Sequence, residues 1–315
     1  MSGDAKPRLT LGGQLWAQNT SWPAFRDAAQ AMEAAGWDGI WTWDHLMAIA
    51  GPAEQPILEG WTAMTAVAAI TSRPTIGLMV GANTFRNPGL LAKMATTLDH
   101  VSGGRLILGL GGAWFEREHD AFGLWFGESP GQRLGRLDEA VGLVRRLLDG
   151  ETVTTDGPTY PMTEAVVTPR PIQPHLPLLI GGAGPRRTLR IVARHADVWN
   201  SSGTPEEIGQ RIDLLHEHCV AVGRDPAAIE LTVSLTPIVR DDPREALAVG
   251  MEQARHNGVD EIEWGPIVRG SPAALADAHW PYIALGVRHF IWRLPTPHDH
   301  ETIDRLGDVR ALLDA

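Results

Sequence analysis

The chain has 315 residues, of which 43% are hydrophobic, and a formal net charge of −11 at neutral pH. This length suits one large domain or two smaller ones, and the negative charge argues against nucleic acid, whose phosphates require a basic surface. No run of eighteen apolar residues is present, so no membrane span is expected, and the N-terminus lacks the apolar stretch of a signal peptide.

The cysteine and lysine content bears on the redox setting of the protein and on how it could bind a phosphate. Cys219 is the only cysteine, so a reducing, cytoplasmic setting is predicted, and its helical surroundings favour a role as a small buried hydrophobe. Lys6 and Lys93 are the only lysines. A bound phosphate would therefore be held by backbone amides and arginines.

Apolar, strand-like runs alternate with amphipathic helical stretches along the chain. The predicted strands are Leu9–Gln14, Gly39–Thr42, Thr75–Val80, Leu106–Leu110, Leu178–Ile180, Asp197–Trp199, Glu230–Leu235 and His289–Leu294. The predicted helices are Ala24–Ala35, Trp61–Ile70, Leu90–Val101, Leu137–Leu148, Thr188–His195, Pro205–Val222 and Pro243–His256. A ninth apolar run, Val259–Trp264, is interpreted as a loop. Eight βα units favour a closed (β/α)8 TIM barrel.

One connection is much longer than an ordinary βα loop. The stretch Ala113 to Pro177 contains two helical segments and a turn-rich piece, Thr154–Thr159, that suits a small hairpin. An insertion at about 113–177, after strand four, would cover the barrel mouth, where a lid is useful. No linker composition divides the chain, so residues 1–315 are predicted to form one domain.

In such barrels the active site is built at the C-terminal ends of the strands. Trp43-Asp44-His45 follows strand two, and a histidine beside an aspartate at that position suits proton transfer near neutral pH. Small residues follow strand three and would let the backbone approach a flat ring closely. They are Val80, Gly81, Ala82 and Asn83. Arg86 then follows, either as an anion ligand or as a structural ion pair.

Glycines crowd the next two strand exits. Gly111, Gly112 and Ala113 follow strand four, in a spacing that is not a dinucleotide-binding fingerprint. Gly182, Ala183 and Gly184 follow strand five and run into a helix that carries Arg186 and Arg187. Exposed amides at a helix N-terminus bind anions, so this loop is the predicted phosphate site.

Five tryptophans lie at or near strand exits and would form an apolar pocket if they converge. They are Trp43, Trp61, Trp114, Trp199 and Trp264. No metal site is predicted, because His216 and His218 point to different helix faces and His298 and His300 lie in a polar loop.

Several segments together resemble the luciferase-like monooxygenase superfamily and, within it, the coenzyme F420-dependent oxidoreductases. The matching segments are Ala34–Leu46, Phe85–Pro88 with Leu91–Lys93, Ser102–Arg105, Gly109–Trp114, Leu179–Gly184 and Ala196–Asn200. They fall in the family's order and extend to about residue 225.

The resemblance implies a (β/α)8 barrel with an insertion over the mouth, and coenzyme F420 or, alternatively, FMN as cofactor. It implies that Asp44 and His45 lie beside the deazaflavin, with His45 as the proton-transfer residue. It also implies a non-proline cis peptide within Met79–Asn83 and a phosphate site formed by Gly182–Gly184 with Arg186 and Arg187. A homodimer is the family's habit.

One departure from the family bears on the substrate. The sugar-phosphate dehydrogenases of the family carry a glutamate where this chain has Trp114, and only Glu116 and Glu59 lie near in sequence. Sugar-phosphate oxidation is therefore not expected. A small hydrophobic substrate is expected instead. Its predicted pocket residues are Trp43, Glu59, Trp114, Trp199 and Trp264.

Three functions are consistent with these residues. The first is an F420-dependent oxidoreductase that transfers a hydride between the deazaflavin C5 and a small organic substrate. The second is a two-component, FMN-dependent monooxygenase of the luciferase-like type. The third is a barrel that binds flavin or deazaflavin without turnover.

Overall fold

A computed structural model describes residues 8–262 and 265–315. Within these residues eight parallel strands pair in chain order, and the last pairs with the first, which closes a barrel. The barrel strands are β1 Thr10–Leu15, β2 Gly39–Thr42, β3 Thr75–Leu78, β4 Leu106–Gly111, β5 Leu178–Gly181, β6 Val198–Ser201, β7 Glu230–Val239 and β8 His289–Leu294. The predicted TIM barrel is confirmed.

Helices surround the barrel and connect its strands. They are α1 Trp22–Ala34, α2 Gly60–Ile70, α3 Pro88–Ser102, α4 Glu116–Phe122, α5 Pro130–Leu148, α6 Thr188–His195, α7 Pro205–Ala221, α8 Pro243–His256, α9 Pro272–Ala284, α10 His300–Asp304 and α11 Leu306–Leu313. Their starts follow local chemistry: the Asn87 side chain, for example, accepts a hydrogen bond from the Gly89 N–H at 2.8 Å, with Pro88 in the first turn. None of these helices is both long and apolar enough to cross a membrane.

Trp41 lies fully buried in the barrel interior. An added Cβ on Gly77 would come within 2.3 Å of the Trp41 ring, and one on Gly12 or Gly39 within 2.9 or 2.8 Å. Glycines on three neighbouring strands therefore make room for this one side chain. This part of the interior is therefore packed, and the C-terminal ends of the strands are where such barrels build their sites.

Predicted and observed elements agree closely for most of the barrel. The bounds of β2 and β8 are those predicted, whereas β3 ends at Leu78 and a separate two-residue strand, Gly81–Ala82, pairs with β4. The strand Ile267–Gly270, which extends the sheet beside the end of β7, was not predicted, nor was α9. Residues 259–262 form no strand, as expected; Glu263 and Trp264 lie outside the described residues.

The long connection after β4 is only partly an insertion. Helix α5 packs against α3 and α6 as an outer helix of the barrel, through buried residues such as Leu137 and Val141. The predicted hairpin exists as an antiparallel pair, Val153–Thr155 with Met162–Ala165. At the mouth the connection contributes residues 112–114, Glu118 of α4 and the first turn of α5.

Candidate active site

A cavity of about 570 Å³ lies at the C-terminal ends of the strands. Asp44 and His45 from the β2 exit, Gly81 from the β3 exit, and Gly182 and Ala183 from the β5 exit all line it. Its volume falls in the range typical of cofactor and substrate pockets. The groups that sequence analysis assigned to one site therefore face one cavity.

The predicted site residues divide into two groups. Those that line the cavity are Trp43, Asp44, His45, Val80, Gly81, Ala82, Gly111, Gly112, Ala113, Trp114, Gly182 and Ala183. Those that lie outside its lining are Asn83, Gly184, Arg186, Arg187, Glu59 and Trp199. Trp264 lies outside the described residues.

His45 is held by a carboxylate on one side of its ring. Its Nδ1 lies 2.9 Å from Oε1 of Glu118, and the side chain is 13% exposed. The rings of Trp43 and Trp114 meet it edge-on, with centroids 5.8 and 5.6 Å away. Because Nδ1 is occupied, Nε2 is the ring nitrogen that remains for a group in the cavity.

Glu118 was not predicted as a site residue. It lies on α4, is 1% exposed, and accepts a second hydrogen bond through Oε2, from the Leu46 N–H at 2.8 Å. The acids expected near this position from the sequence were Glu116 and Glu59. Its partner His45 is 73 residues away in sequence, and no local pattern indicates such a pair.

Asp44 takes part in a buried ion-pair network. The Arg86 guanidinium donates to both of its oxygens, at 2.6 and 3.1 Å, and to Glu59 at 2.6 Å. The Ala82 N–H donates to Asp44 at 3.0 Å. Of the two roles considered for Arg86, the structure therefore shows the ion pair.

Burial and these partners act in opposite directions on the two carboxyl groups. Burial raises the pKa of Asp44, against the pull of the Arg86 charge and the hydrogen bonds. Burial also acts to raise the pKa of Glu59, but hydrogen bonds from Thr62 and Trp61 and the Arg86 charge leave it lowered. Glu59 caps α2 and supports Arg86; it is not a wall of the cavity.

The β3 exit has an unusual backbone. The peptide bond between Met79 and Val80 is cis, inside the range indicated by the family resemblance. Gln14 Nε2 donates to the Met79 carbonyl at 2.5 Å, and added Cβ atoms on Gly111 and Gly181 would come within 2.6 and 2.8 Å of the Val80 side chain. These contacts place Val80 as a wall between the β4 and β5 exits.

The β5 exit presents backbone amides at the N-terminus of α6. The Gly182 N–H donates to Asn200 O at 3.0 Å, and Trp199 Nε1 donates to Gly182 O at 2.9 Å. In the described ranges no acceptor pairs with the N–H of Ala183 or Gly184, and no side chain caps α6. Trp199 thus braces this loop from behind and is not a pocket wall.

An arginine that sequence analysis did not select lines the cavity beside that loop. Arg133, in the first turn of α5, is 8% exposed and lies 3.8 Å over the Phe126 ring, and its Nε has no hydrogen-bond partner among the described residues. Burial lowers its pKa, against the attraction of Glu116. Arg187 donates to Gly131 O at 2.7 Å and joins the starts of α5 and α6.

The floor of the cavity is polar. Gln14, Asn200 and Ser201 line it together with Arg293, whose pKa burial lowers to about 10. Arg293 therefore stays cationic at neutral pH. Of the five tryptophans expected to converge on an apolar pocket, Trp43 and Trp114 line the cavity, Trp61 and Trp199 do not, and Trp264 lies outside the described residues.

Comparison with known proteins gives the family context. The model of the luciferase-like monooxygenase family matches residues 8–285. Uncharacterised proteins of Mycobacterium bovis and Mycobacterium tuberculosis are 33% identical over 182 residues, which are 57% of this chain and 63% of their length. The F420-dependent glucose-6-phosphate dehydrogenase of Kineococcus radiotolerans is 29% identical, with 91% of each chain covered.

The fold also resembles solved structures. The coenzyme F420-dependent tetrahydromethanopterin reductase of Methanopyrus kandleri superposes with a TM-score of 0.79. It is 19% identical, and the match covers 95% of this chain and 97% of that one. This likeness concerns the fold.

Proposed function

The chain belongs to the luciferase-like monooxygenase family, and we propose that it is a coenzyme F420-dependent oxidoreductase acting on a small organic substrate. The reaction would be a hydride transfer between the deazaflavin C5 and a substrate carbon. The observation that carries the proposal is the single cavity, which combines His45, a wall for a flat ring and an anion-binding end.

The residues present fit an anionic, ring-bearing cofactor. The Ala183 amide, the uncapped start of α6 at Thr188 and the buried Arg133 would hold its phosphate. Val80 and Gly81 would back its ring. When bound, the deazaflavin supplies a carbon that accepts or releases a hydride.

The chain's own residues would handle the proton and the orientation. His45 Nε2 exchanges a proton with the oxygen of a hydroxyl or carbonyl group, and such acid–base help is worth about 10²–10⁴ in rate. Trp43 and Trp114 pack their rings against His45 and would limit how it can turn. The polar floor, with Asn200 and Arg293, favours an oxygen-bearing substrate over a hydrocarbon.

An FMN-dependent monooxygenase is the alternative that the family description keeps open. The anion-binding end and the flat wall would serve FMN as well as F420. His45, held by Glu118 for proton transfer, favours the hydride-transfer reaction.

A fluorescence titration of the purified protein with F420 and with FMN tests the proposal. Micromolar binding of F420 but not FMN, followed by a change in the deazaflavin absorbance with a panel of alcohols, ketones and enones, is the expected result. FMN binding alone would favour the monooxygenase, and F420 binding without any absorbance change would favour a non-catalytic binder. Binding of neither cofactor would remove the proposal.

Arg133→Met sharpens the same titration. Loss of a charge-assisted hydrogen bond costs about 1.5–3 kcal/mol, so the cofactor Kd should rise roughly 10- to 100-fold. The matched control is Arg136→Met on the same helix: Arg136 also stacks on an aromatic ring, Trp125 at 3.4 Å, but does not line the cavity. Equal affinities for the two variants would exclude Arg133 from the phosphate site.

A further inference from the structure

We propose that Glu118 is a positioning residue that fixes the tautomer of His45, so that Nε2 meets the cavity as a proton acceptor. The inference deepens the proposed function and rests on it for the reaction. The tautomer itself is a property of the ligand-free chain and is measured without cofactor or substrate.

Both oxygens of Glu118 have a partner at the β2 exit. Oε1 lies 2.9 Å from His45 Nδ1, and Oε2 accepts the Leu46 N–H at 2.8 Å. The two partners are neighbours in the chain, one through its side chain and one through its backbone. Because a backbone N–H only donates, the Leu46 contact fixes which oxygen is left for the imidazole.

A carboxylate oxygen accepts and does not donate, so the proton of the neutral imidazole lies on Nδ1. Nε2 then carries the lone pair. Glu118 is 1% exposed, so water does not compete for its oxygens. The same carboxylate would stabilise the imidazolium that forms when Nε2 takes a proton.

This tautomer sets the direction in which His45 first acts. In an alcohol oxidation the O–H proton would pass to Nε2 as the C=O bond forms, and a bound deazaflavin would supply the acceptor for the hydride that leaves the substrate carbon. In the reverse direction the imidazolium returns that proton to the carbonyl oxygen. Glu118 orients the imidazole and is not itself a partner of the substrate in proton transfer.

Glu118→Gln is a sharp test because the Leu46 N–H dictates how the amide lies. The Gln carbonyl oxygen must accept from Leu46, which turns the amide NH₂ toward His45 Nδ1. Nδ1 must then be the acceptor, and the imidazole proton moves to Nε2. The substitution preserves size and inverts the tautomer.

The measurement is ¹⁵N NMR of the ligand-free protein with labelled histidine, above the pH at which imidazoles are protonated, with His45 assigned by the signal lost in His45→Gln. The wild type should show the Nδ1–H tautomer and E118Q the Nε2–H tautomer. With F420 and substrate, kcat of E118Q should fall about 100-fold or more, as expected when an orienting carboxylate becomes an amide. The cofactor Kd should stay within about twofold.

The chain offers a matched control. His289 Nδ1 also lies 2.9 Å from a glutamate, Oε1 of Glu230, outside the cavity lining. Glu230→Gln should leave kcat within about twofold of wild type, because its histidine meets no substrate. The pH profile of kcat should change in E118Q and not in E230Q.

An Nε2–H tautomer in the wild type would overturn the proposal. This measurement uses only the wild-type protein, so it does not require that any variant folds. An unchanged tautomer in E118Q, or a changed tautomer with unchanged kcat, would also overturn it. A tautomer change in a protein that turns over no F420 substrate would instead leave the positioning role intact and remove the proposed function.

Discussion

Strand β2 has a paired aspartate near each end, and the two differ in their access to water. Asp38, before the strand, accepts the Leu11 N–H at 2.8 Å and pairs with Arg310 at 2.7 Å; its side chain is 22% exposed. Asp44, after the strand, has the same kinds of partner, but its side chain is 1% exposed. The same pairing therefore has a solvated form at the N-terminal end of the barrel and a desolvated form at the C-terminal end.

The two histidine–glutamate pairs repeat this contrast. His289 and Glu230, at the N-terminal ends of β8 and β7, have the same Nδ1–Oε1 distance as His45 and Glu118. The Nε2 of His289 is enclosed in protein and has no hydrogen-bond partner in the part of the chain that the structure describes, whereas His45 lines the cavity. A histidine paired with a glutamate therefore does not by itself indicate an active site. Open space beside the second ring nitrogen is what distinguishes His45 from His289.

The largest effect should come from His45→Ala. It removes the proton-transfer group, so turnover with F420 and substrate should fall by about 10²–10⁴, while the cofactor Kd stays nearly unchanged. Steady-state kinetics and the fluorescence titration measure the two quantities. His289→Gln is the control at the other end of the barrel and should keep its turnover number. A turnover number that survives His45→Ala would mean that the contrast between the two pairs has no catalytic meaning.

The next effect concerns stability and compares the two aspartates. Arg86→Met leaves Asp44 buried without its cation, which should cost about 3–5 kcal/mol of unfolding free energy. Arg310→Met should cost about 1 kcal/mol or less, because Asp38 is partly solvated and keeps Arg8 as a partner. Urea unfolding of both variants gives the comparison.

A second substitution separates charge from packing in this result. Asp44→Asn in the Arg86→Met background removes the unpaired charge and should restore part of the lost stability. If the double variant is no more stable than R86M, or if R310M is destabilised as much as R86M, the difference in burial does not govern these pairs.

The barrel could be predicted from the sequence because its signals are local. β2 and β8 are short apolar runs buried on both faces, and helix starts carry caps such as Asn87-Pro88. The strand Ile267–Gly270 was not predicted because four residues beside a proline are too few to show a strand pattern. Helix α9 was not predicted because its residues are apolar on most sides, so the sequence shows no amphipathic pattern there.

The site was predictable only where its residues follow a strand. His45, Gly81 and Ala183 could be placed at one rim because parallel strands bring their exits together. Glu118 and Arg133 lie in charged helical stretches whose sequence is typical of solvent-exposed helix faces. They are buried because of the path that the chain takes after β4. Long-range partners of this kind depend on tertiary packing and leave no spacing to recognise.

The smallest predicted effect concerns a third histidine, His279, which has both ring nitrogens bonded. Nδ1 donates to Leu275 O at 2.6 Å, and Nε2 accepts from Trp292 Nε1 at 3.0 Å. Burial lowers its pKa from 6.5 to about 4. The unfolded chain therefore takes a proton near pH 6.5 that the folded chain refuses until about pH 4, so stability is lost as the pH falls through this window.

Urea unfolding of the wild type and of His279→Leu at about pH 7.5 and pH 5.5 isolates this contribution, since other groups titrate alike in both. The variant should be less stable at both pH values, because Trp292 loses its acceptor, but its loss between them should be smaller by about 1 kcal/mol. The difference between the two pH values is the quantity that counts. If the wild type and the variant lost equal stability between pH 7.5 and pH 5.5, His279 would take up its proton in the folded chain as readily as in the unfolded one. Burial with both ring nitrogens bonded would then have no effect on the protonation of this histidine.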